Sequence, residues 1–546
     1  MQGLMMDMPL LISGLLQHAD RHHADAEIVS KTVDGSVHRY TYRDAHARAR
    51  KLAGALQRLG VQPGERIATL AWNSYRHFEI YYAVAGSGAV IHTINPRLFP
   101  DQITYIANHA EDQYVFFDLS FAPLLEKLAP LLKTVKGYVA MCAPEAMPKA
   151  NIPSLLCYEA LLEKEKADFQ WPTFDERTAA CLCYTSGTTG NPKGALYGHR
   201  STMLHAFGAA LPDGLNVSAR DVVLPVVPMF HVNAWGLPYS CALVGAKMVF
   251  PGPHLDGRSV YQLFESEGVT MSAGVPTVWL ALLNHMKENR LRFSTLKRTV
   301  IGGSACPPAM IKSFQDDYGV QVLHAWGMTE MSPLGTVGSF KAKHAKASKD
   351  ARDALQYKQG RAIYGVDMRI VGEDGTELPW DGKAFGDLQV RGPWVIDSYF
   401  KGEGGNPLKT DEHGTKWFPT GDVATIDPDG IMQITDRSKD VIKSGGEWIS
   451  SIDLECIAMA HPAIAEAAVI GIKHPKWDER PIVVAVKKPG QEVSKDELLK
   501  FYEGKIAKWW MPDDVVFVAE LPHTATGKLS KLTLRQQFKD YRLDPR

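Results

Sequence analysis

Apolar and polar positions along this chain follow two rhythms. Leu52, Ala55, Leu56 and Leu59 recur at the spacing of one helical face, and Gly60 supplies a C-terminal stop. Thr41 followed by Asp44 resembles a capping box at the start of that helix. Short apolar runs read as buried strands: IATLA (67–71), YVFFD (114–118), DVVLPVVP (221–228) and TVIGG (299–303). Strand and helix signals that alternate in this way predict an α/β fold, with layered, mainly parallel sheets. From about residue 360 the texture changes. VDMRIV (366–371) and GDLQVRG (386–392) are short strands between Gly, Asp and Pro turns, which predicts a smaller β-rich subdomain of a kind that can close as a barrel. The final stretch mixes a strand, AAVIGI (467–472), with a helix over 495–510, as in a small α+β domain. The charged run TDRSKD (435–440) marks the joint, dividing the chain into 1–436 and 437–546.

Length and composition narrow the class. At 546 residues the chain holds about three to four structural units and needs no metal or disulfide staple. Its 45% apolar and 22% charged content is that of a soluble globular protein. A net charge of −1 gives no support for a nucleic-acid or membrane-surface role. Seven scattered cysteines, with no CxxC pair, read as reduced thiols in a cytoplasmic protein. The opening MQGLMMDMPLLISGLLQHAD has no basic leader and carries Asp7, so it reads as an amphipathic first helix, not a signal peptide. No run reaches the roughly 18 apolar residues of a membrane span.

Five segments carry chemistry. YTSGTTGNPKG (184–194) follows a strand end and combines three glycines, several hydroxyls and Lys193. Small residues let backbone N–H groups approach phosphate oxygens, and the lysine adds charge. Its spacing is not that of GxxxxGK[ST]. In HAWGMTEMSP (324–333), Glu330 can ligate Mg²⁺ and Thr329 can bond an α-phosphate, although alone the pair also fits a helix start with a solvated Glu. In PTGDVATIDPDG (419–430), Asp422 can accept from ribose hydroxyls, or be a plain turn aspartate. TDRSKDVIKSGGEWIS (435–450) holds Arg437, Lys439, Lys443, Gly445 and Gly446, or is a solvated linker. In LPHTATGKLSK (521–531), Lys528 follows a turn from which a charge can swing into a cleft, or is an ordinary exposed lysine.

In this order and at these separations, the five segments resemble the adenylate-forming superfamily of acyl-CoA synthetases, peptide-synthetase adenylation domains and luciferases. VVPMFHVNAWG (226–236) and SGGEWISS (444–451) are similar to the fatty acyl-CoA synthetase branch, near bacterial medium-chain and 3-methylmercaptopropionate CoA ligases. The resemblance implies a large N-terminal AMP-binding domain and a small mobile lid. It implies a phosphate loop of Thr185, Ser186, Gly187, Thr188, Thr189, Gly190 and Lys193. Gly303, Ser304, Ala305, His324, Ala325 and Trp326 should flank adenine, and Asp422 and Arg437 should hold ribose. Thr185 and Glu330 are the implied Mg²⁺ positions. His231 and Trp235 belong to the acyl entrance, which the tryptophan is thought to gate. Lys528 would bridge carboxylate and phosphate. Lys439 would be the hinge that swaps Lys528 for Gly445, Gly446 and Trp448 at the thiol tunnel, with Lys443 contacting phosphate or CoA. The implied substrates are ATP with Mg²⁺, CoA and a carboxylic acid of medium or long chain. The rivals are 3-methylmercaptopropionate, a carrier-protein acceptor or a non-catalytic nucleotide-binding scaffold. A homodimer is implied by the family alone. One departure is Lys531, where the family often has arginine; it keeps charge but loses bidentate geometry, which puts a specific salt bridge there in doubt.

Overall fold

The computed structural model describes residues 1, 3–185, 191–445, 447–523 and 529–543. Within them the chain builds two large sheets and one small sheet, with helices layered between and around the large pair.

The seven-stranded sheet runs, in spatial order, Leu155–Cys157, Gly137–Ala140, Asp112–Phe117, Arg66–Leu70, Val90–Thr93, Ala179–Tyr184 and Gly194–Gly198. All neighbours pair in parallel except the last, which returns antiparallel across the turn containing Thr185. These strands are almost wholly buried and mostly apolar, as parallel strands between helices tend to be, with buried His92 paired to buried Asp112. Tyr42–Arg58 packs as an amphipathic helix beside them. The Thr41 side chain accepts from Asp44 N, and the Asp44 carboxylate accepts from Thr41 N, so the capping box forms.

The fourteen-stranded sheet changes character at Gln321–Gly327. On one side lie parallel strands, among them Arg298–Ile301, Met271–Gly274 and Val222–Pro225. On the other side the strands are antiparallel, from Leu334–Val337 out to Phe385–Arg391 and Asp367–Val371. The β-rich part therefore continues the large sheet edge to edge and does not close as a separate barrel among the described residues. The strand at the changeover carries His324, Ala325 and Trp326, and ligand crevices form where strand direction or order switches. One apolar cluster unites the two large sheets through Tyr42, Phe78, Tyr81, Tyr82, Tyr239 and Phe250.

The small sheet comprises Ile442–Ser444, Glu447–Ile449, Ile464–His474, Asp478–Lys487 and Asp514–Phe517, over its own apolar clusters. The last strand of the large sheet ends at Arg437, so residues 438–441 alone connect the two sheets. Two local expectations are corrected. The helix expected over 495–510 spans only Lys495–Tyr502, because Gly504 has a φ of +74° and the chain turns before a short 3₁₀ segment, Lys508–Trp510. The first helix spans Ile12–His22. The methionine-rich residues ahead of it are outside any helix, with Met5, Met6 and Met8 exposed.

Candidate functional site

The carboxyl ends of three parallel strands each lead into a motif segment. Tyr184 leads to Thr185, Pro225 to the segment before His231, and Ile301 to Gly302–Gly303. Thr185 is fixed by the first antiparallel return: its N–H donates to Lys193 O at 2.9 Å, and its hydroxyl accepts from Lys193 N at 3.1 Å. Ser186, Gly187, Thr188, Thr189, Gly190, Gly446 and Lys528 lie outside the described residues.

The best-defined part of the site is built on Asp422. The long strand Lys416–Ile426 bends at a register shift just beyond it, and the carboxylate is 2% exposed. Its Oδ2 accepts from Trp326 Nε1 at 2.8 Å, and its Oδ1 pairs with Arg437 Nε at 2.9 Å. Asp422 and Arg437 face each other across adjacent strands, so backbone pairing sets their meeting. A plain turn aspartate would face solvent; this one is a buried acceptor with two donors. Arg437 keeps about half of its side chain exposed.

Thr329 and Glu330 form a short 3₁₀ turn after the changeover strand. Tyr197 hydroxyl donates to Thr329 O, and Ile396 N donates to Glu330 O at 2.9 Å. Glu330 is only 7% exposed, which rules out the solvated-helix-start reading. Burial raises its pKa above the ordinary carboxylate value, outweighing the hydrogen bond from Tyr399 and the charge of Arg437. A buried carboxylate of this kind gains most from a nearby cation.

His324 behaves differently from its neighbours in the motif. Its side chain is buried and its Nδ1 sits 3.0 Å from Tyr357 O, inside the body of the sheet. Burial lowers its pKa to about 4, so the ring is neutral near pH 7. Its backbone is paired within the sheet, with His324 O accepting from Gly338 N at 2.8 Å, whereas Gly303, Ser304 and Ala305 form an exposed loop. A Cβ at Gly302 would meet Ala325 O at 2.7 Å and the Trp235 ring at 3.3 Å, so only glycine fits there. Trp235 thus lies against the loop expected to flank adenine.

Trp235 is presented by an uncommon backbone. Val232, Asn233, Ala234 and Trp235 all have left-handed φ, from +47° to +56°, and Gly236 follows at +76°. Left-handed geometry costs roughly 1–2 kcal/mol for each L-residue. A buried polar cradle holds it. The Asn233 amide lies 3.2 to 3.5 Å from the thiols of Cys181 and Cys183 and 3.3 Å from Tyr81 hydroxyl. Asn73 donates to Pro225 O and Val227 O at 2.9 Å each. His231, at the entrance to the turn, is half-buried, and its N–H donates to Pro228 O at 3.1 Å.

The remaining motif residues sit on the small-sheet side. Lys439 is exposed within the 438–441 connection. Lys443 Nζ pairs with Glu373 Oε1 at 2.9 Å and lies 5.2 Å from the Trp448 ring centroid, while Trp448 packs against Phe385. Gly445, at φ +62°, donates its N–H to Trp477 O. Lys443, Trp448, Glu373 and Phe385 border a groove of about 460 Å³ that also includes Asp387 and Asp478. The structure does not bring Lys443 and Trp448 to Asp422 or Glu330; they hold the far side of the joint. Lys531 corrects the doubt raised over its motif: its Nζ pairs with Glu455 at 2.7 Å and with Ser451 Oγ at 2.5 Å. Burial pulls its pKa down, but Glu455 and Asp436 more than offset this, so the ammonium is held above its ordinary value.

Sequence reasoning missed Tyr399, whose hydroxyl donates to Glu330 Oε1 at 2.8 Å and whose ring centre is 5.0 Å from Lys193 Nζ. It also missed Asn73, Tyr81 and Asn233, the cradle of the left-handed turn. The glycine cluster at 402–405 signalled a tight loop after Tyr399, but nothing in the spacing pointed that loop at Lys193.

The motif residues gather around the changeover strand, with Trp326 on it, Asp422 and Arg437 bonded beside it, and Thr329 and Glu330 directly after it. Residues 15–400 match the family described as AMP-binding enzyme, and residues 453–528 match its C-terminal domain. The chain belongs to the AMP-binding enzyme family. It is 56% identical over 541 residues to the 3-methylmercaptopropionyl-CoA ligase of Ruegeria lacuscaerulensis, with 99% of both chains covered. It is 52% identical over 540 residues to the medium-chain-fatty-acid–CoA ligase of Ectopseudomonas oleovorans, with 99% of this chain and 98% of that one covered. Among solved structures, ATP-bound MatB from Rhodopseudomonas palustris superposes with a TM-score of 0.81 at 25% identity, covering 97% of this chain and 99% of that one.

Proposed function

We propose that this chain is an AMP-forming acid–thiol ligase that joins a linear aliphatic acid to CoA. The observation that carries the reading is the bonding of buried Asp422 to Trp326 and Arg437, beside Glu330 and, across Tyr399, Lys193. In the first half-reaction a carboxylate oxygen attacks the α-phosphorus of ATP, the bond to the bridging oxygen breaks, and pyrophosphate leaves. Both reactants are anionic, so cations must gather there. Lys193 would face the polyphosphate, Arg437 and Asp422 the ribose, and Lys528 the attacking carboxylate. In the second half-reaction the thiol sulfur attacks the acyl carbon and AMP leaves. For this the small domain would turn about Lys439 and bring Gly445, Gly446 and Trp448 inward. Thr185 and Glu330 fit Mg²⁺: a hydroxyl and a buried carboxylate are hard oxygen donors. Among the described residues no cluster of three His, Cys, Asp or Glu side chains forms a resident metal site, so any Mg²⁺ would arrive with the nucleotide. Bound there, it would neutralise phosphate charge.

The acid is read as a medium- or long-chain fatty acid. A second reading, 3-methylmercaptopropionate, is favoured by the 56% identical relative. The two are sterically akin, because the thioether replaces one methylene of pentanoate. A cytoplasmic location and a homodimer belong to the same proposal. No helix among the described residues is long and apolar enough to cross a membrane.

The test is ATP–pyrophosphate exchange followed by thioester formation, with straight-chain acids from acetate to palmitate plus 3-methylmercaptopropionate. Each buried methylene adds up to about 0.8 kcal/mol, or roughly fourfold in kcat/KM. A fatty-acid enzyme climbs past five carbons; a thioether enzyme peaks there. No exchange with any acid refutes the ligase.

A further inference from the structure

Two opposite charges with the same partner in prospect lie on either side of one phenol. Lys193 Nζ sits over the Tyr399 ring, 5.0 Å from its centre. Tyr399 hydroxyl donates to Glu330 Oε1 at 2.8 Å. Among the described residues no carboxylate comes within ion-pair distance of Lys193 Nζ. An ammonium and a buried carboxylate separated by one side chain would otherwise pair with each other, and the pair would have neither charge left for a nucleotide.

The segment carrying Tyr399 is built to stay in place. Ser332 hydroxyl donates to Trp394 O at 3.1 Å, and Trp394 Nε1 donates to Leu334 O at 3.0 Å. Ile396 N donates to Glu330 O, which ties this strap to the backbone of the carboxylate it serves. Beyond Tyr399 the chain turns tightly, with Gly402 N donating to Tyr399 O at 2.9 Å. Tyr105 hydroxyl then holds Glu403 at 3.0 Å. Gly404, at φ +78°, passes so close that a Cβ there would lie 2.6 Å from Lys193 Nζ. Aromatic ring below and bare backbone above leave the lysine positioned without a counter-anion.

We infer that Tyr399 is a positioning residue that keeps Lys193 and Glu330 apart, fixing one Glu330 oxygen by its hydroxyl and shielding Lys193 by its ring. Two roles reside in separable parts of one side chain. The hydroxyl orients the carboxylate toward a divalent cation, and the ring preserves the lysine's charge for phosphate. The inference rests on the ligase reading.

The experiment uses the full-length protein and two variants, Tyr399→Phe and Tyr399→Leu. Direct binding is read by electron paramagnetic resonance of manganese(II) titrated with the α,β-methylene analogue of ATP. KM values for ATP and acid are read in pyrophosphate exchange. Tyr399→Phe loses about tenfold in manganese affinity, the low end for losing a hydrogen bond to a charged group, with KM for ATP within about twofold of wild type. Tyr399→Leu loses the same manganese affinity and also raises KM for ATP about tenfold or more, because Lys193 then closes on Glu330. KM for the acid is unchanged in both. Circular dichroism and thermal unfolding confirm that each variant folds. Unchanged manganese binding in Tyr399→Phe, equal effects of the two variants on ATP, or a parallel rise in KM for the acid overturns the inference. Absence of exchange in the wild-type protein would instead overturn the ligase reading.

Discussion

Replacing Asp422 by asparagine separates the charge of this residue from its shape. Both carboxylate oxygens are engaged, one by Trp326 Nε1 and one by Arg437 Nε. Asparagine offers one acceptor and one donor, so its amide must turn a hydrogen toward one of the two donors. Trp326 is 7% exposed, whereas Arg437 keeps about half of its side chain in solvent. Facing the amide nitrogen to Arg437 is therefore the cheaper choice, since water can serve the guanidinium. The apo protein should lose only about 1 kcal/mol. The nucleotide loses more. Two ribose hydroxyls would exchange an anionic acceptor for a neutral one, and bonds to charged groups are worth about 1.5–3 kcal/mol. Measured by pyrophosphate exchange at saturating acid, KM for ATP should rise about 10- to 100-fold, with KM for the acid within about twofold. Asp422→Ala leaves buried Trp326 Nε1 without an acceptor, and should lower thermal stability further than Asp422→Asn. An unchanged KM for ATP in Asp422→Asn, or an equal rise in KM for the acid, would refute the assignment of Asp422 to the nucleotide.

Lys528→Ala should abolish adenylate formation yet largely spare thioester formation from supplied acyl-AMP; equal loss in both half-reactions contradicts its role. Asn233→Ala removes the amide that holds four left-handed residues, whose backbone costs total roughly 4–8 kcal/mol. KM for the acid should rise at least about tenfold while KM for ATP stays near wild type, and equal kinetics in variant and wild type would show that the turn needs no such anchor. Stability should fall with acidification between about pH 6.5 and pH 4. Burial lowers His77, His199, His205 and His324 each to about 4 from an ordinary 6.5, so the unfolded chain binds more protons in that window. Each group then withdraws up to roughly 3 kcal/mol as pH drops through its folded value. Protonation would also remove the acceptors for Ile12 N on His199 and Leu334 N on His205. A urea midpoint that stays flat from pH 7.5 to pH 4.5 would refute this.

Local chemistry made the elements readable where periodicity and caps agree. The Thr41–Asp44 box and the helix behind it depend on neighbours within four residues, and both form. Residue type and spacing marked Asp422 as a candidate acceptor, and the structure adds its burial and its bonds to Trp326 and Arg437. The long C-terminal helix failed because apolar content was read through Gly504, whose left-handed geometry ends the helix. The barrel failed because short antiparallel strands look alike whether they close on themselves or extend a neighbouring sheet, and only pairing with Leu334–Val337 decides. His324 shows the same limit within a motif. Its place on the changeover strand followed from spacing, but its inward-facing ring, bonded to Tyr357 O, is a tertiary outcome. Tyr399 and Asn233 were invisible because their partners lie 69 and about 50 residues away.

The joint between the two bodies places two duties on consecutive residues. Side chains alternate across a strand, so Asp436 and Arg437 point opposite ways from the end of Ile431–Arg437. Arg437 turns to Asp422. Asp436, 1% exposed, accepts from both Ser451 N and Ser451 Oγ at 2.6 Å, at the start of helix Ser451–Met459. Ser451 also receives Lys531, three positions beyond Lys528. A rotation about residues 438–441 displaces groups in proportion to their distance from the axis. Asp436 and Ser451 are bonded to each other next to that connection, whereas such a turn would have to separate Lys443 from Glu373 and Trp448 from Phe385. Those outer contacts are solvent-exposed and individually weak, worth about 1 kcal/mol or less. A buried, well-bonded pair at the joint and a weakly held periphery are what the proposed rotation of the small domain would need.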